Sequence, residues 1–229
     1  MLGVAISTHN RYDMFKANYG IWLDNMPDGA ILIVVDDCSD TPVKEATFRF
    51  NDNVGVARTK NKCLELLYEA GVDDFFLVDD DCYPILKDWY KPYIQHKEPH
   101  LMAIFTGFGN QTASIKEIYR DYKTVAYNGV RGYFLYYKRI VLDTVGGFDT
   151  DFGRYWGEHT DLTNRIHNAG LTTYRSMDVP NSERLIYSMD SNQEVVSTIT
   201  GDEYIKLSNR NRIFKREKSN SKEYKEFRQ

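Results

Sequence analysis

Three consecutive aspartates, Asp79, Asp80 and Asp81, directly follow the apolar run FFLV at 75–78 and are well suited to chemistry. Like charges repel one another strongly when they are buried, so a compensating positive charge is expected beside them. Mg²⁺ and Mn²⁺ bind carboxylate oxygens and complete an octahedral shell with water and phosphate oxygens. The triplet therefore predicts a metal–diphosphate site with Asp79 and Asp81 as metal ligands. A solvated acidic turn is the alternative.

Two further polar groups follow apolar runs. The run GVAIST at 3–8 ends in polar residues, and this polar stretch extends from Ser7 to Arg11. The run AILIVV at 30–35 ends at Asp36 and Asp37. A carboxylate in such a place can accept hydrogen bonds from a nucleobase or a ribose, although it can equally cap a turn. Arg58 follows Asn53 and can face a base or a phosphate, with a surface arginine as the alternative.

A third candidate group lies at the start of a helix predicted near residue 158. Glu158, His159 and Asp161 all fall within its first turn. Either a carboxylate or an imidazole can remove the proton of an attacking hydroxyl, and the unperturbed pKa of histidine suits neutral pH. Stabilisation of the helix dipole by the acidic turn is the alternative. The preceding Tyr155 and Trp156 can stack on a sugar ring or lie in the core.

The elements that must position these residues alternate along the chain. Periodicity predicts strands at 3–8, 30–35, 75–78, 101–106 and 132–137, and helices at 11–24, 54–70, 138–145 and 158–169. Alternating strands and helices predict an α/β fold with a mostly parallel sheet and right-handed crossovers. Because ligands bind outside the carboxyl ends of such strands, the polar groups are expected to converge there.

Length and composition predict one catalytic domain. The 229 residues are 42% hydrophobic, which suffices for a single core. The apolar pattern becomes sparse after residue 200, and residues 210–229 hold eight Lys or Arg against three Glu. We therefore expect a domain at 1–200 and a basic tail at 201–229, either a solvated helix or partly disordered.

Charge and cysteine content narrow the class of protein. A net charge of −4 is unlike that of a dedicated nucleic-acid binder. The three cysteines are not spaced like the ligands of a metal site, and their odd number favours reduced thiols over a set of disulfide bonds. Neither a signal peptide nor a membrane span is predicted, so a soluble, cytoplasmic protein is expected.

Five motifs together resemble the family 2 type of GT-A glycosyltransferases. In sequence order they are STHNR at 7–11, VVDDCSD at 34–40, NVGVARTKN at 53–61, LVDDDC at 77–82 and GGFDTDF…WGEHTDL at 146–162. Their order and approximate spacing match the family, and the resemblance covers residues 3–170. It implies the GT-A fold, a Rossmann-like and mostly parallel sheet flanked by helices.

The resemblance also implies roles for individual residues. The donor would be a nucleotide-diphosphate sugar, in the first place a UDP-sugar, and the cofactor Mn²⁺ or Mg²⁺. The implied donor-binding residues are Ser7, Thr8, Arg11, Asp37, Arg58 and, near the ribose, Asp80, and the implied metal ligands are Asp79 and Asp81. The sequence departs from the family at Glu158-His159, where members commonly read Glu-Asp and use that Asp as base in inverting transfer. His159, Asp161 and Glu158 are therefore all candidate bases.

Two other functions stay open, as does the acceptor. A nucleotidyltransferase shares an α/β sheet and an acidic metal site, but it usually carries a glycine-rich basic loop where this chain has STHNRYD. A non-catalytic nucleotide-sugar-binding protein would keep the fold without turnover. The acceptor can be a glycan, a lipid carrier, a protein or a modified nucleic-acid base, and the oligomeric state is not predicted.

Overall fold

The computed structural model describes residues 1–104, 115–154, 156–190, 194 and 201–228. Its strands are β1 (Leu2–Thr8), β2 (Ile31–Asp36), β3 (Phe48–Arg49), β4 (Asp74–Asp79), β5 (Cys82–Pro84), β6 (His100–Met102), β7 (Glu117–Arg120), β8 (Val125–Tyr127), β9 (Phe134–Lys138), β10 (Ser176–Asp178) and β11 (Ile186–Ser188). Its α-helices are α1 (Tyr12–Asn25), α2 (Val56–Glu69), α3 (Lys91–Ile94), α4 (Arg139–Val145), α5 (Glu158–Asn168) and α6 (Gly201–Glu217).

A six-stranded sheet with the order β3-β2-β1-β4-β9-β6 forms the centre of the fold. Strands β1 to β4 are parallel, whereas β9 runs antiparallel to both β4 and β6. Two small antiparallel sheets, β10-β8-β7 and β11-β5, complete it. The mostly parallel α/β sheet predicted from the sequence is confirmed. The strand predicted at 101–106 is shorter, and its last two residues lie outside the described residues.

Apolar side chains cover both faces of the central sheet, as the continuous apolar runs of β1, β2 and β4 require. One face packs with Leu64 and Leu67 of α2, and with residues of α4 and α5. The other face packs with Phe15 and Trp22 of α1 and an aromatic group around Phe76 and Trp89. These two cores position the strands from both sides, and packed strands place site residues more precisely than loops do.

The segment after residue 200 packs on this domain. In α6 the side chain of Asn211 is fully buried, and the rings of Phe214 and Phe152 lie 4.9 Å apart, edge to face. Farther on, Phe227 is buried in the core with its ring 5.4 Å from Tyr68. The boundary at residue 200 stays a prediction, and the structure places the basic segment against the domain as a helix followed by an extended stretch.

Gly146 makes the return of this segment possible. The Gly146 backbone has a φ of +71° and pairs with Lys225 in an isolated β-bridge. A Cβ atom at residue 146 would lie 1.9 Å from the Lys225 carbonyl oxygen. Both the left-handed backbone and the close approach therefore require glycine at this position.

A buried histidine makes stability depend on pH. The neutral imidazole of His100 donates from Nδ1 to the Tyr136 carbonyl at 2.9 Å and accepts from the Thr163 hydroxyl at 3.2 Å. Burial lowers its pKa to about 4. Between that value and the ordinary pKa near 6.5, the unfolded chain binds a proton that the folded chain does not. The free energy of unfolding therefore falls as pH falls through this window.

His100→Gln removes this titration, so the wild type should lose more stability than the variant on acidification. We expect the difference between the two free energies of unfolding to change by about 2 kcal/mol between pH 7 and pH 5. Urea titrations at both pH values measure it. Parallel pH curves for the two proteins would contradict the assignment.

Candidate functional site

The register of the central strands brings the predicted polar groups to one edge of the sheet. Ser7 lies opposite Asp79 across β1 and β4, and Thr8 lies opposite Asp36 across β1 and β2. The Ser7 hydroxyl donates to Asp79 Oδ1 at 3.3 Å, and the Thr8 hydroxyl donates to Asp80 Oδ2 at 2.6 Å. The convergence expected from parallel strands is therefore present.

Arg11 supplies one of the positive charges that the aspartates require. Its guanidinium contacts Asp80 Oδ1 at 2.5 Å and Asp81 Oδ2 at 3.0 Å. Burial raises the pKa values of both carboxyls, and the charge of Arg11 opposes this rise. Both oxygens of Asp80 are thus occupied, one by Thr8 and one by Arg11. A contact of Asp80 with ribose stays a prediction that requires these bonds to rearrange.

Lys60 supplies the second positive charge and was not among the predicted site residues. Its buried ammonium lies 2.9 Å from Asp79 Oδ1 and donates to the Gly132 carbonyl at 2.6 Å. Burial lowers its pKa, but the charges of Asp79 and Glu158 outweigh burial and raise it. A signal was present in the sequence, since Lys60 shares the apolar face of α2 with Ala57 and Leu64 at spacings of three and four residues.

The other predicted basic residue, Arg58, is not placed at this cluster. Its side chain is exposed and lines a separate cavity of about 250 Å³ that also includes Phe48 and Phe50 of the β3 region. Two positions along α2 separate Arg58 from Lys60, which directs them to different faces of the helix. The role of Arg58 toward the nucleotide stays a prediction.

Asp37 is buried and holds the loop before α2. Its two carboxylate oxygens accept from the backbone N–H groups of Val54 at 2.7 Å and Gly55 at 2.9 Å. His9, a second residue missed in the sequence, donates from Nδ1 to the Asp37 carbonyl at 2.6 Å and accepts from the Asn53 amide at 2.8 Å. These bonds connect the ends of β1 and β2 to α2. Contact of Asp37 with a base stays a prediction.

Glu158 and His159 form a hydrogen-bonded pair at the start of α5. Because a carboxylate can only accept, His159 donates from Nδ1 to Glu158 Oε1 at 3.0 Å. Although burial raises the pKa of Glu158, the charges of His159 and Lys60 lower it to about 2. Among the described residues no group binds His159 Nε2, which leaves that nitrogen free to accept a proton.

The His159 ring packs directly over Gly132, whose carbonyl accepts from Lys60. A Cβ atom at residue 132 would lie 3.0 Å from the ring. His159 also lines a cavity of about 290 Å³ together with Trp156. Tyr155 lies outside the described residues. We call Asp79, Asp80 and Asp81 the acidic cluster. A chain of contacts joins it to the start of α5, from Asp79 through Lys60 and Gly132 to His159.

Asp161, the third candidate base, is placed in a buried ion pair. Its Oδ2 atom accepts from Arg165 Nε at 2.7 Å. Arg165 in turn donates to the carbonyls of Val145 at 2.6 Å and Gly147 at 2.5 Å, so the pair fastens α5 to the end of α4. Both side chains are almost completely buried. The geometry gives Asp161 a structural position, and its role as base stays a prediction.

The acidic cluster can hold a metal ion only in part. Among the described residues Asp79 is paired through Oδ1 alone, with Ser7 and Lys60, and its side chain is 26% exposed. Asp81 Oδ1 is buried without a hydrogen bond. The part of the chain that the structure describes contains no three His, Cys, Asp or Glu side chains that converge on one ion. Two free carboxylate oxygens therefore fit a Mg²⁺ or Mn²⁺ ion whose other ligands come from water and a diphosphate.

Comparison with known proteins gives one curated relative and many similar folds. No family model matches the chain. An uncharacterized glycosyltransferase of Acanthamoeba polyphaga mimivirus is 24% identical over 221 residues, with 85% of each chain covered. Over the described residues, no helix combines the length and apolar character needed to cross a bilayer.

Three solved structures illustrate the similarity in fold. GalNAc-T7 with UDP, GalNAc and Mn²⁺ has a TM-score of 0.64 at 14% identity, over 93% of this chain and 48% of its own. Staphylococcus aureus TarS has a TM-score of 0.62 at 14% identity, over 95% and 41%. The Pyrobaculum calidifontis mannosyltransferase PcManGT with GDP-Man and Mn²⁺ has a TM-score of 0.55 at 16% identity, over 79% and 55%.

The chain thus spans about half the length of these three solved structures. At such low identity the likeness concerns the fold and carries no residue roles. It agrees with the observed sheet, since β1, β2 and β4 are parallel and β9 is antiparallel beside them. The chain therefore has the GT-A glycosyltransferase fold.

Proposed function

We propose that the protein is a metal-dependent glycosyltransferase that moves a sugar from a nucleotide-diphosphate donor to an acceptor hydroxyl. The observation that carries the proposal is a pair of carboxylate oxygens without a partner among the described residues, the part-exposed Asp79 Oδ2 and the buried Asp81 Oδ1. They lie at the edge of the sheet where ligands bind in open α/β folds. Solved structures with this fold hold UDP or GDP-Man together with Mn²⁺. A UDP-sugar with Mn²⁺ or Mg²⁺ is our first choice of donor and cofactor.

Asp79 and Asp81 would hold the metal through their free oxygens. The metal, when bound, supplies positive charge that stabilises the departing diphosphate. Lys60 keeps Asp79 oriented, and Arg11 does the same for Asp81. Ser7, Thr8 and Asp80 connect β1 to the cluster and would fix its distance from the nucleotide.

His159 is our choice of general base within the segment from Glu158 to Asp161. Glu158 fixes the tautomer by accepting from Nδ1, so Nε2 faces the reaction as an acceptor. As the acceptor oxygen bonds to the anomeric carbon of the sugar, His159 takes its proton. The bond from that carbon to the diphosphate breaks, and the nucleoside diphosphate leaves with the electron pair. Attack on the face opposite the diphosphate gives inversion, as in the family 2 type of transferase.

Calorimetric titration tests the donor and the metal together. We expect UDP to bind with Mn²⁺ and to bind at least tenfold more weakly in excess EDTA. A saturating nucleotide at one hundred times its Kd stabilises the folded state by about 2.7 kcal/mol, which thermal unfolding also detects. UDP, GDP and ADP compared at equal concentration identify the nucleotide. Equal UDP binding with Mn²⁺ and with EDTA would overturn the metal assignment.

The products released from the substrates distinguish the proposed function from its two alternatives. A glycosyltransferase hydrolyses its donor slowly when water replaces the acceptor, and it releases a free sugar and a nucleoside diphosphate. A nucleotidyltransferase releases pyrophosphate from a nucleoside triphosphate and a sugar phosphate. A binding protein releases neither product. Proton NMR of the freed sugar records the anomeric configuration and so tests inversion.

A further inference from the structure

The cleft beside His159 combines several cations with an aromatic ring. It has a volume of about 290 Å³, and its charged and aromatic lining consists of Arg131, Trp156, His159, Arg175 and Lys215. No acidic side chain is among its described lining residues. Such a concentration of positive charge is unusual in a protein whose net charge is −4. The cleft therefore has a local electrostatic character opposite to that of the whole chain.

Lys215 and Arg175 both line this cleft. Lys215, on α6, has its ammonium 5.4 Å from the centre of the Trp156 ring. Burial lowers the pKa of Lys215, and the nearby charge of Arg175 lowers it further. Lys215 is half-buried and Arg175 is exposed at the rim of the same cleft. Like charges repel one another, and an anion bound between them removes that repulsion.

Arg131 adds a guanidinium that the described protein satisfies only in part. Its side chain is 14% exposed, and its Nη1 atom lies 3.6 Å from Asp190 Oδ2, which is an ion pair longer than a hydrogen bond. The Nε and Nη2 atoms are buried without a hydrogen-bond partner among the described residues. Buried donors without acceptors are costly, so these two N–H groups favour a ligand rich in acceptor oxygens.

We propose that this cleft binds a phosphate group carried by the acceptor, next to the hydroxyl that receives the sugar. The inference rests on the proposed function and specifies its acceptor. A phosphate offers several strong acceptor oxygens and its charge to Arg131, Arg175 and Lys215. The Trp156 ring, beneath Lys215, can contact the carbon skeleton to which the phosphate is attached.

The position of His159 favours the acceptor over the donor as the source of the phosphate. His159 lines the cleft, whereas Asp79 lies on the other side of Gly132 and Lys60. The donor's diphosphate belongs beside the metal at Asp79 and Asp81. A phosphate in the cleft would instead hold the acceptor hydroxyl near His159 Nε2, where its proton is removed.

Protein-detected NMR with small probes tests the proposal. The three tryptophan indole N–H signals give a simple readout, and Trp156→Phe identifies that of Trp156. At constant ionic strength, glycerol 3-phosphate and glycerophosphoglycerol are titrated against glycerol, which has no phosphate. We expect the Trp156 signal to shift with the phosphate probes and not with glycerol. Tighter binding of the monoester glycerol 3-phosphate would indicate an acceptor with a terminal phosphate. Tighter binding of the diester glycerophosphoglycerol would indicate a bridging phosphate.

Paired substitutions locate the bound probe. Lys215→Gln with Arg175→Gln should weaken binding of the phosphate probes at least tenfold. Arg212→Gln with Arg216→Gln is the matched control, because it removes two exposed charges from α6 outside the cleft. Equal weakening by both pairs would show non-specific charge attraction and overturn the proposal.

Competition with UDP separates this inference from the proposed function. The inference expects UDP and Mn²⁺ to leave the phosphate-induced shift of Trp156 intact. Displacement of the probe by UDP would assign the cations to the donor and overturn the inference, while the proposed function would stand. Absence of UDP binding would instead contradict the proposed function, whatever the phosphate probes show.

Discussion

Asp81→Asn is expected to lower kcat/KM for donor hydrolysis about a thousandfold. The metal and its carboxylate ligands contribute several kcal/mol of charge stabilisation as the diphosphate leaves, and each 1.4 kcal/mol corresponds to a factor of ten. The substitution keeps the size of the side chain while it removes the negative charge of the buried Oδ1 atom that has no partner. Steady-state hydrolysis with saturating Mn²⁺ measures the loss.

The same variant should become insensitive to chelation. If Asp81 holds the metal, the variant binds UDP equally weakly with Mn²⁺ and with EDTA, at the affinity of the wild type in EDTA. Asp24→Asn is the matched control, since Asp24 is exposed on α1 and should leave activity unchanged. Undiminished Mn²⁺-dependent binding of UDP by the Asp81 variant would remove Asp81 from the metal site.

His159→Gln should lower kcat by a factor between about 10² and 10⁴, the usual contribution of a general base. The donor's Kd should stay unchanged, because the residue contacts neither Asp79 nor Asp81. Glu158→Gln should lower kcat by a smaller factor, since the imidazole would lose the carboxylate that orients it but keep Nε2. Single-turnover hydrolysis together with UDP calorimetry separates the chemical step from binding.

Asp161→Asn should lower the free energy of unfolding and leave kcat nearly unchanged. Removal of one charge leaves the guanidinium of Arg165 buried without its partner, which costs about 3–5 kcal/mol of folding free energy. The variant that remains folded should keep near-normal kcat. A large loss of kcat with unchanged stability would identify Asp161 as the base, and normal turnover in His159→Gln would agree with that outcome.

The sheet and the position of the acidic cluster could be predicted from local patterns. Continuous apolar runs that end in polar residues define β1, β2 and β4, and parallel pairing then brings Ser7 and Asp79 together. The antiparallel direction of β9 was beyond that reasoning. Strand β9 pairs antiparallel with both β4 and β6, and the apolar run at 132–137 carries no signal of strand direction.

Side-chain roles were harder to predict because they depend on pairs distant in sequence. The motif resemblance points to Arg58, whereas the apolar spacing of α2 places Lys60 on the buried face. Asp161 was a candidate base although Arg165 follows it at i+4, the spacing of a helical ion pair. The cations of the cleft come from separate segments of the chain, and no local pattern connects Arg131 with Lys215.

The cleft beside His159 and the acidic cluster depend on different elements of the fold. Asn211 of α6 donates to the carbonyls of Phe152 and Trp156 at 2.8 Å, so this helix holds the turn that carries Trp156. The acidic cluster depends instead on β1 and β4, which lie inside the sheet. Partial unfolding that releases α6 alone would dismantle the phosphate cleft and leave the cluster intact. The protein would then still bind the donor but would no longer transfer its sugar.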